Sequence, residues 1–91
     1  MEYNKDMENS LMNIRHFYVR LRNLRRLEHF SGAKRRKLYR QIEAEKKRLL
    51  QAGADGEWVR LYCRYYATLG GAAERRLQAR KEALEAGQHP V

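Results

Sequence analysis

The 91-residue sequence contains one cysteine, one proline and no long run of apolar residues. A single cysteine excludes an intramolecular disulfide, and with three scattered histidines it gives no spacing typical of a zinc site. No stretch of about 18 apolar residues is present that could cross a membrane, and the polar, acidic start is unlike a signal or transit peptide. We therefore expect a cytoplasmic protein that binds no metal or cofactor and does not enter a membrane.

Residues suited to catalysis are also scarce. His16, His29 and His89 are far apart, and none lies at metal-ligand spacing from another histidine, a cysteine or an acid. There is no glycine-rich phosphate loop. Cys63 lies in an apolar segment, so we expect a buried, unreactive thiol. The sequence predicts that the protein is not an enzyme.

Apolar residues recur at helical spacing along the chain, and no strand-like alternation competes with them. Asn9 or Ser10 can cap a first helix, Gly53 can close the second, and Asp55 can cap the third. The predicted helices cover about residues 10–29, 33–52, 56–69 and 72–86. The last two are separate or continuous depending on whether Gly70-Gly71 ends the third helix or only kinks it.

These helices predict one all-α domain, a compact bundle of three to four helices over residues 10–87. We expect residues 1–9 to be a flexible N-terminal segment and residues 88–91 to be a flexible tail. The third predicted helix is apolar around most of its circumference and should therefore lie at the centre of the bundle. The fourth has few apolar residues, so it should dock weakly, and pairing with a second copy is an alternative that would complete a thin core.

Positive charge is concentrated in one part of the chain. Between Ile14 and Arg48, thirteen Lys and Arg stand against three acids, a local charge of +10, whereas the whole chain carries +9. Helical geometry places the apolar residues of this segment on one side and a cationic strip on another. The candidate contact residues are Arg15, Arg22, Arg26, Lys34, Arg35, Arg36, Lys37, Arg40 and Lys47. So concentrated a field is typical of a surface that binds a polyanion.

The run Lys34-Arg35-Arg36-Lys37 is the most unusual local feature. It places cations in the first turn of a helix, where each well-placed charge opposes the macrodipole by roughly 0.3 to 1 kcal/mol. A phosphate at this position would meet free backbone N–H groups as well as side-chain charge. Contact with a polyanion is therefore the favoured interpretation, and a solvated basic face and a membrane surface are the alternatives.

Residues 24–40 resemble part of a helix-turn-helix. The matching positions are Leu27, Gly32, Ala33 and Leu38. The positions that depart from the motif are Glu28, Ser31 and Gln41. The resemblance implies a recognition helix over residues 33–41, with Lys34, Arg35 and Lys37 at base edges or phosphates in the major groove.

Two functions remain open at this point. The first is a small basic helical nucleic-acid-binding protein, a DNA-binding regulator or accessory factor that contacts phosphates through its first two helices. DNA is slightly favoured over RNA, because no RNA-recognition signature is present. The alternative is a protein-interaction module, an adaptor or inhibitor whose basic face docks on an acidic protein partner. A homodimer is compatible with both.

Overall fold

The computed structural model describes residues 4–26 and 32–87, and within these ranges it contains four α-helices and no strand. Helix α1 covers Lys5–Arg25, α2 Gly32–Gln51, α3 Gly56–Thr68 and α4 Gly71–Gly87. The predicted all-α bundle is confirmed. The predicted tail 88–91 lies outside the described residues, as do His29 and Ser31.

Helix α1 begins earlier than its sequence predicts. The side chain of Asn4 accepts a hydrogen bond of 2.8 Å from the backbone N–H of Met7, so Asn4 caps the helix instead of Asn9 or Ser10. Met7 is buried in the same cluster as Ile14, two turns further along. The prediction of a flexible segment over 1–9 is therefore wrong for residues 5–9, because burial of Met7 holds this part of the chain in the helix; residues 1–3 lie outside the described part.

Helix α1 also ends earlier than predicted, at Arg25 instead of about residue 29, whereas the ends of the other three helices lie within one residue of the predictions. Gly53 has φ 95°, the left-handed conformation expected of a glycine after a helix. The carboxylate of Asp55 accepts from the backbone N–H of Trp58 at 2.9 Å, which confirms the predicted cap of α3. Leu69, not Gly70, takes the left-handed position that ends α3, with φ 53°. The chain then starts α4, so α3 and α4 are separate helices.

Helices α1 and α2 form an antiparallel hairpin. At one end Met7 packs with Leu49, and at the other Leu21 packs with Leu38. These contacts run along nearly the whole length of both helices. The second helix of a helix-turn-helix instead crosses the first at about 90–120°, which would confine contact to one region. The partial sequence resemblance to that motif therefore does not extend to the packing.

Helix α3 lies at the centre, as its apolar circumference predicts, and contacts each of the other three helices. Trp58 and Tyr62 are 5% and 8% exposed, so these two aromatic residues belong to the core. Cys63 is buried beside them, and burial raises the pKa of its thiol. Among the described helices α4 packs only against α3, and Ala73 is its one buried residue.

Candidate nucleic-acid interface

The cations of α2 lie on the side of the helix that faces away from the core. Leu38, Ile42 and Leu49 are buried on one side. The opposite side carries three exposed basic residues, which we call the α2 ridge: Arg36, Arg40 and Lys47. Because an α-helix rises 1.5 Å per residue, the ridge extends along about 16 Å of helix. The predicted division of α2 into a core side and a cationic side is confirmed by this burial pattern.

The first turn of α2 contains no acidic residue, and Lys34, Arg35 and Lys37 are all exposed within its first two turns. The guanidinium carbon of Arg35 lies 5.5 Å from the centre of the Tyr39 ring, a cation–π contact. This contact orients Arg35 along the helix surface. The start of α2 thus presents side-chain cations at the positive end of the helix dipole.

A groove of about 350 Å³ lies between α1 and α2 near this helix start. Lys34 and Lys37 line it from α2, and Arg20 lines it from α1. The apolar residues in its lining are Leu24 and Leu38. The candidate set omits Arg20, although its position four residues before Leu24 places both on the same side of α1. That spacing is the signal by which the sequence could have identified it.

Two predicted contact residues of α1 are directed towards α3 instead. The guanidinium of Arg22 donates to the backbone carbonyl of Tyr66. The guanidinium carbon of Arg15 lies 5.3 Å from the centre of the Tyr66 ring. Both cations therefore lie beside α3 and apart from the groove between α1 and α2. Their common partner, Tyr66, is 44 residues from Arg22 along the chain, so local spacing could not reveal these contacts.

Arg26 lies at the C-terminal end of α1, where it is exposed and its backbone N–H bonds to the carbonyl of Asn23. A cation is favoured at this end of a helix, so its position has a local electrostatic reason. Among the nine predicted residues, six belong to α2, Arg26 caps α1, and two face α3.

The acids of α2 pair with cations outside the ridge. Glu43 lies 3.1 Å from Lys46, and Glu45 lies 2.8 Å from Arg48. The sequence favours pairing of Glu43 with Lys47, which is wrong, because the closer partner lies one residue earlier on the same turn. As a result Lys47 remains on the ridge. On α3, Glu57 and Arg60 form a further i,i+3 ion pair at 2.6 Å.

The part of the chain that the structure describes brings together no three His, Cys, Asp or Glu side chains that could hold a metal ion. None of its helices combines the length and the apolar character needed to cross a membrane. No family model, curated protein or solved structure matches this chain. A proposal about function therefore depends on the chemistry of its own surfaces.

Proposed function

We propose that this protein binds nucleic acid through the α1–α2 hairpin and acts as a small DNA-binding regulator or accessory factor in the cytoplasm. The observation that carries the proposal is the local charge of +10 between Ile14 and Arg48, combined with the exposure of all six predicted contact residues of α2. Their apolar neighbours are buried on the other side of the helix. The hairpin thus has one surface for packing and another for a polyanion.

Phosphates are the chemical group that this surface fits best. Lysine and arginine contacts to phosphate fix a protein on nucleic acid without reading its sequence, and they release condensed counterions. The α2 ridge would follow the phosphate backbone, while Lys34, Lys37 and Arg20 would surround a phosphate near the start of α2. Backbone contact of this kind requires no catalytic group, metal or cofactor. DNA is slightly favoured over RNA, because the helices display no RNA-recognition signature.

The test is a salt titration of binding to fluorescein-labelled duplex DNA, followed by anisotropy. Each phosphate neutralised lowers the slope of log K against log salt by about 0.9. A triple variant of the α2 ridge, Arg36→Gln/Arg40→Gln/Lys47→Gln, should make the slope shallower by about 3 and weaken binding. Circular dichroism should show an unchanged helix content, since all three side chains are exposed.

The matched control removes the same charge elsewhere. Arg64, Arg75 and Arg76 are exposed on α3 and α4, and their triple change to glutamine leaves the hairpin intact. This variant should keep most of the wild-type affinity and slope. Equal losses in both triple variants would mean that net charge alone is sensed, and no complex at about 50 mM salt would reject nucleic-acid binding.

The same assay with polyglutamate in place of DNA tests the alternative function. The alternative function, an adaptor or inhibitor on an acidic protein partner, requires the hairpin to bind a protein polyanion as tightly as DNA. The nucleic-acid proposal expects binding to duplex DNA to be at least about tenfold tighter at equal salt. Tighter binding of polyglutamate would replace the proposal with the alternative.

A further inference from the structure

A second surface of the molecule is apolar. Among the described residues four large hydrophobic side chains are substantially exposed, and three of them line one depression of about 340 Å³. Met12 and Val19 come from α1 and are 50% and 44% exposed; Leu69 comes from the end of α3 and is 50% exposed. Scattered single apolar residues are normal on a protein surface, whereas these three converge from two distant segments on one depression. We call these three residues the apolar patch.

The backbone at Leu69 is a second, independent sign. A non-glycine residue with φ 53° is uncommon, and glycine or asparagine adopts this conformation at lower cost. Gly70 follows directly, so a glycine stands one residue from the position where it would relieve the strain. Half of the Leu69 side chain remains in solvent, so packing within the chain accounts for only part of its presence. A leucine that is both strained and half exposed suits contact with another molecule.

Two arginines and a histidine surround the apolar patch, and contacts with Tyr66 hold both arginines in place. Arg15, His16 and Arg22 line the same depression. Tyr66, which also lines it, fixes two of them, through its ring for Arg15 and through its carbonyl for Arg22. Arginine, tyrosine and methionine are enriched at protein interfaces, and positions fixed in advance lower the entropy lost on binding. The depression thus combines apolar contact area with an ordered basic rim.

We infer that the apolar patch is a docking surface for an acidic amphipathic helix of another protein. Met12 and Val19 are two turns apart on one side of α1, a spacing of about 10 Å that matches the i and i+7 anchors of a docked helix. The basic rim favours acidic residues flanking those anchors. A second copy of this chain would bring a net charge of +9 and the same cationic rim, which disfavours self-association here. This inference goes beyond the proposed nucleic-acid binding and does not depend on it.

The probe is a synthetic, fluorescein-labelled peptide of about 16 residues, roughly 24 Å of helix, with leucines at i, i+3, i+4, i+7 and i+11 and glutamates around them. A peptide of the same composition with the leucine periodicity scrambled measures attraction by charge alone. The wild-type protein should bind the patterned peptide about tenfold more tightly than the scrambled one. Equal affinities would overturn the inference.

Two variants of the patch test the location. Leu69→Asn removes the apolar side chain with a residue that tolerates the left-handed conformation, so the end of α3 is preserved. Val19→Gln removes the α1 anchor with a good helix former. Each should weaken binding of the patterned peptide about tenfold, with little effect on the scrambled peptide or on duplex DNA. Circular dichroism and thermal unfolding should show both variants folded.

The matched control is Leu50→Gln, because Leu50 is 49% exposed and lies outside the patch. It should leave the affinity for the patterned peptide unchanged. An equal loss in this variant would show that any exposed leucine suffices and would reject the site. Sedimentation that finds a wild-type dimer, lost on Leu69→Asn, would assign the surface to a second copy instead.

Discussion

Helices α2 and α3 differ in how much of their surface is buried and how much is charged. Five of the 13 residues of α3 are buried, and they lie within residues 58–63, where only Arg60 is exposed: Trp58, Val59, Leu61, Tyr62 and Cys63. Helix α2 has 20 residues and buries four, in a single line along one side: Leu38, Ile42, Glu45 and Leu49. The rest of α2 displays most of the positive charge of the hairpin. Stability and charge are therefore carried by different helices, and substitutions should separate them.

The largest expected effect is on stability and comes from α3. Trp58 is 5% exposed and packs with its ring centre 5.2 Å from that of Tyr62. Trp58→Ala should lower the free energy of unfolding by about 3–5 kcal/mol, because it leaves a large cavity in the core. Urea denaturation followed by circular dichroism measures the change. In a domain of this size that loss can exceed half of the total stability.

Arg40→Ala is the counterpart on α2, where the side chain is exposed. It should change the free energy of unfolding by less than about 0.5 kcal/mol while weakening binding to duplex DNA. Comparable destabilisation by both substitutions would contradict the division of roles between α2 and α3.

The next largest effect concerns Glu45, the one charged residue among the four that α2 buries. Glu45 is 6% exposed, and while its Oε1 bonds to Arg48, its Oε2 is buried and has no hydrogen-bond partner within residues 4–26 and 32–87. An unsatisfied buried oxygen costs about 1–3 kcal/mol, so Glu45→Met should raise the free energy of unfolding by about 1 kcal/mol. Glu43→Met is the control, since the Glu43 side chain is 65% exposed and should contribute little. A loss of stability in Glu45→Met would show that the ion pair with Arg48 stabilises α2 by more than the buried oxygen costs.

A smaller effect is expected at the start of α2. Ala33 is exposed in the first turn, which contains no acid. Ala33→Glu should raise the free energy of unfolding by about 0.3–1 kcal/mol relative to Ala33→Gln, because it adds a negative charge at the positive end of the helix. The same change should weaken DNA binding relative to the glutamine variant, since it lies beside Lys34. If both variants bind DNA equally, the start of α2 does not contact phosphate.

Local patterns predicted most of the fold. The cap at Asp55, the glycine closure at Gly53 and the central position of α3 follow from residues near each other in sequence, and all three are present. The start of α1 was missed because Met7 is held by tertiary burial, which a capping signal at Asn9 does not reflect. Helix boundaries near chain ends depend on such contacts more than on propensity.

The sequence predicts where the positive charge of the candidate interface lies, but it predicts less well which of the cations lie on the same surface. The cationic side of α2 follows from helical spacing, since Arg36, Arg40 and Lys47 share one side. The diversion of Arg15 and Arg22 depends on Tyr66, far along the chain, and no local pattern encodes that contact. The apolar patch is not predictable for the same reason, because Leu69 lies some 50 residues from Val19 in the sequence and shares a depression with it only in the fold.

The smallest expected effect tests how α4 is attached to α3. The carboxylate of Asp55 accepts two hydrogen bonds from Arg80, at 2.9 and 2.8 Å, and also caps α3 through Trp58. The hydrogen bonds from Arg80 are the largest cause of a lowered pKa at Asp55, and the bond from Trp58 is the second. Together they lower this pKa from 3.8 to about 2. Because its pKa is lower in the folded chain, ionised Asp55 favours folding above pH 4 or so, and this contribution is lost as the pH falls towards 2.

Asp55→Asn keeps a good cap for α3 and removes the charge that binds Arg80. The melting temperature of the variant should therefore lie slightly below that of the wild type at neutral pH, converge with it near pH 2, and vary less with pH between these limits. Glu57→Gln is the control, because the ion pair of Glu57 with Arg60 lies within α3 and its electrostatic interaction with Arg80 is only a minor one. Hydrogen exchange in Asp55→Asn should be faster in α4 than in α3, since α4 packs only against α3 among the described helices. Uniformly faster exchange across the hairpin would instead mean that α4 is part of one cooperative unit with α1 and α2.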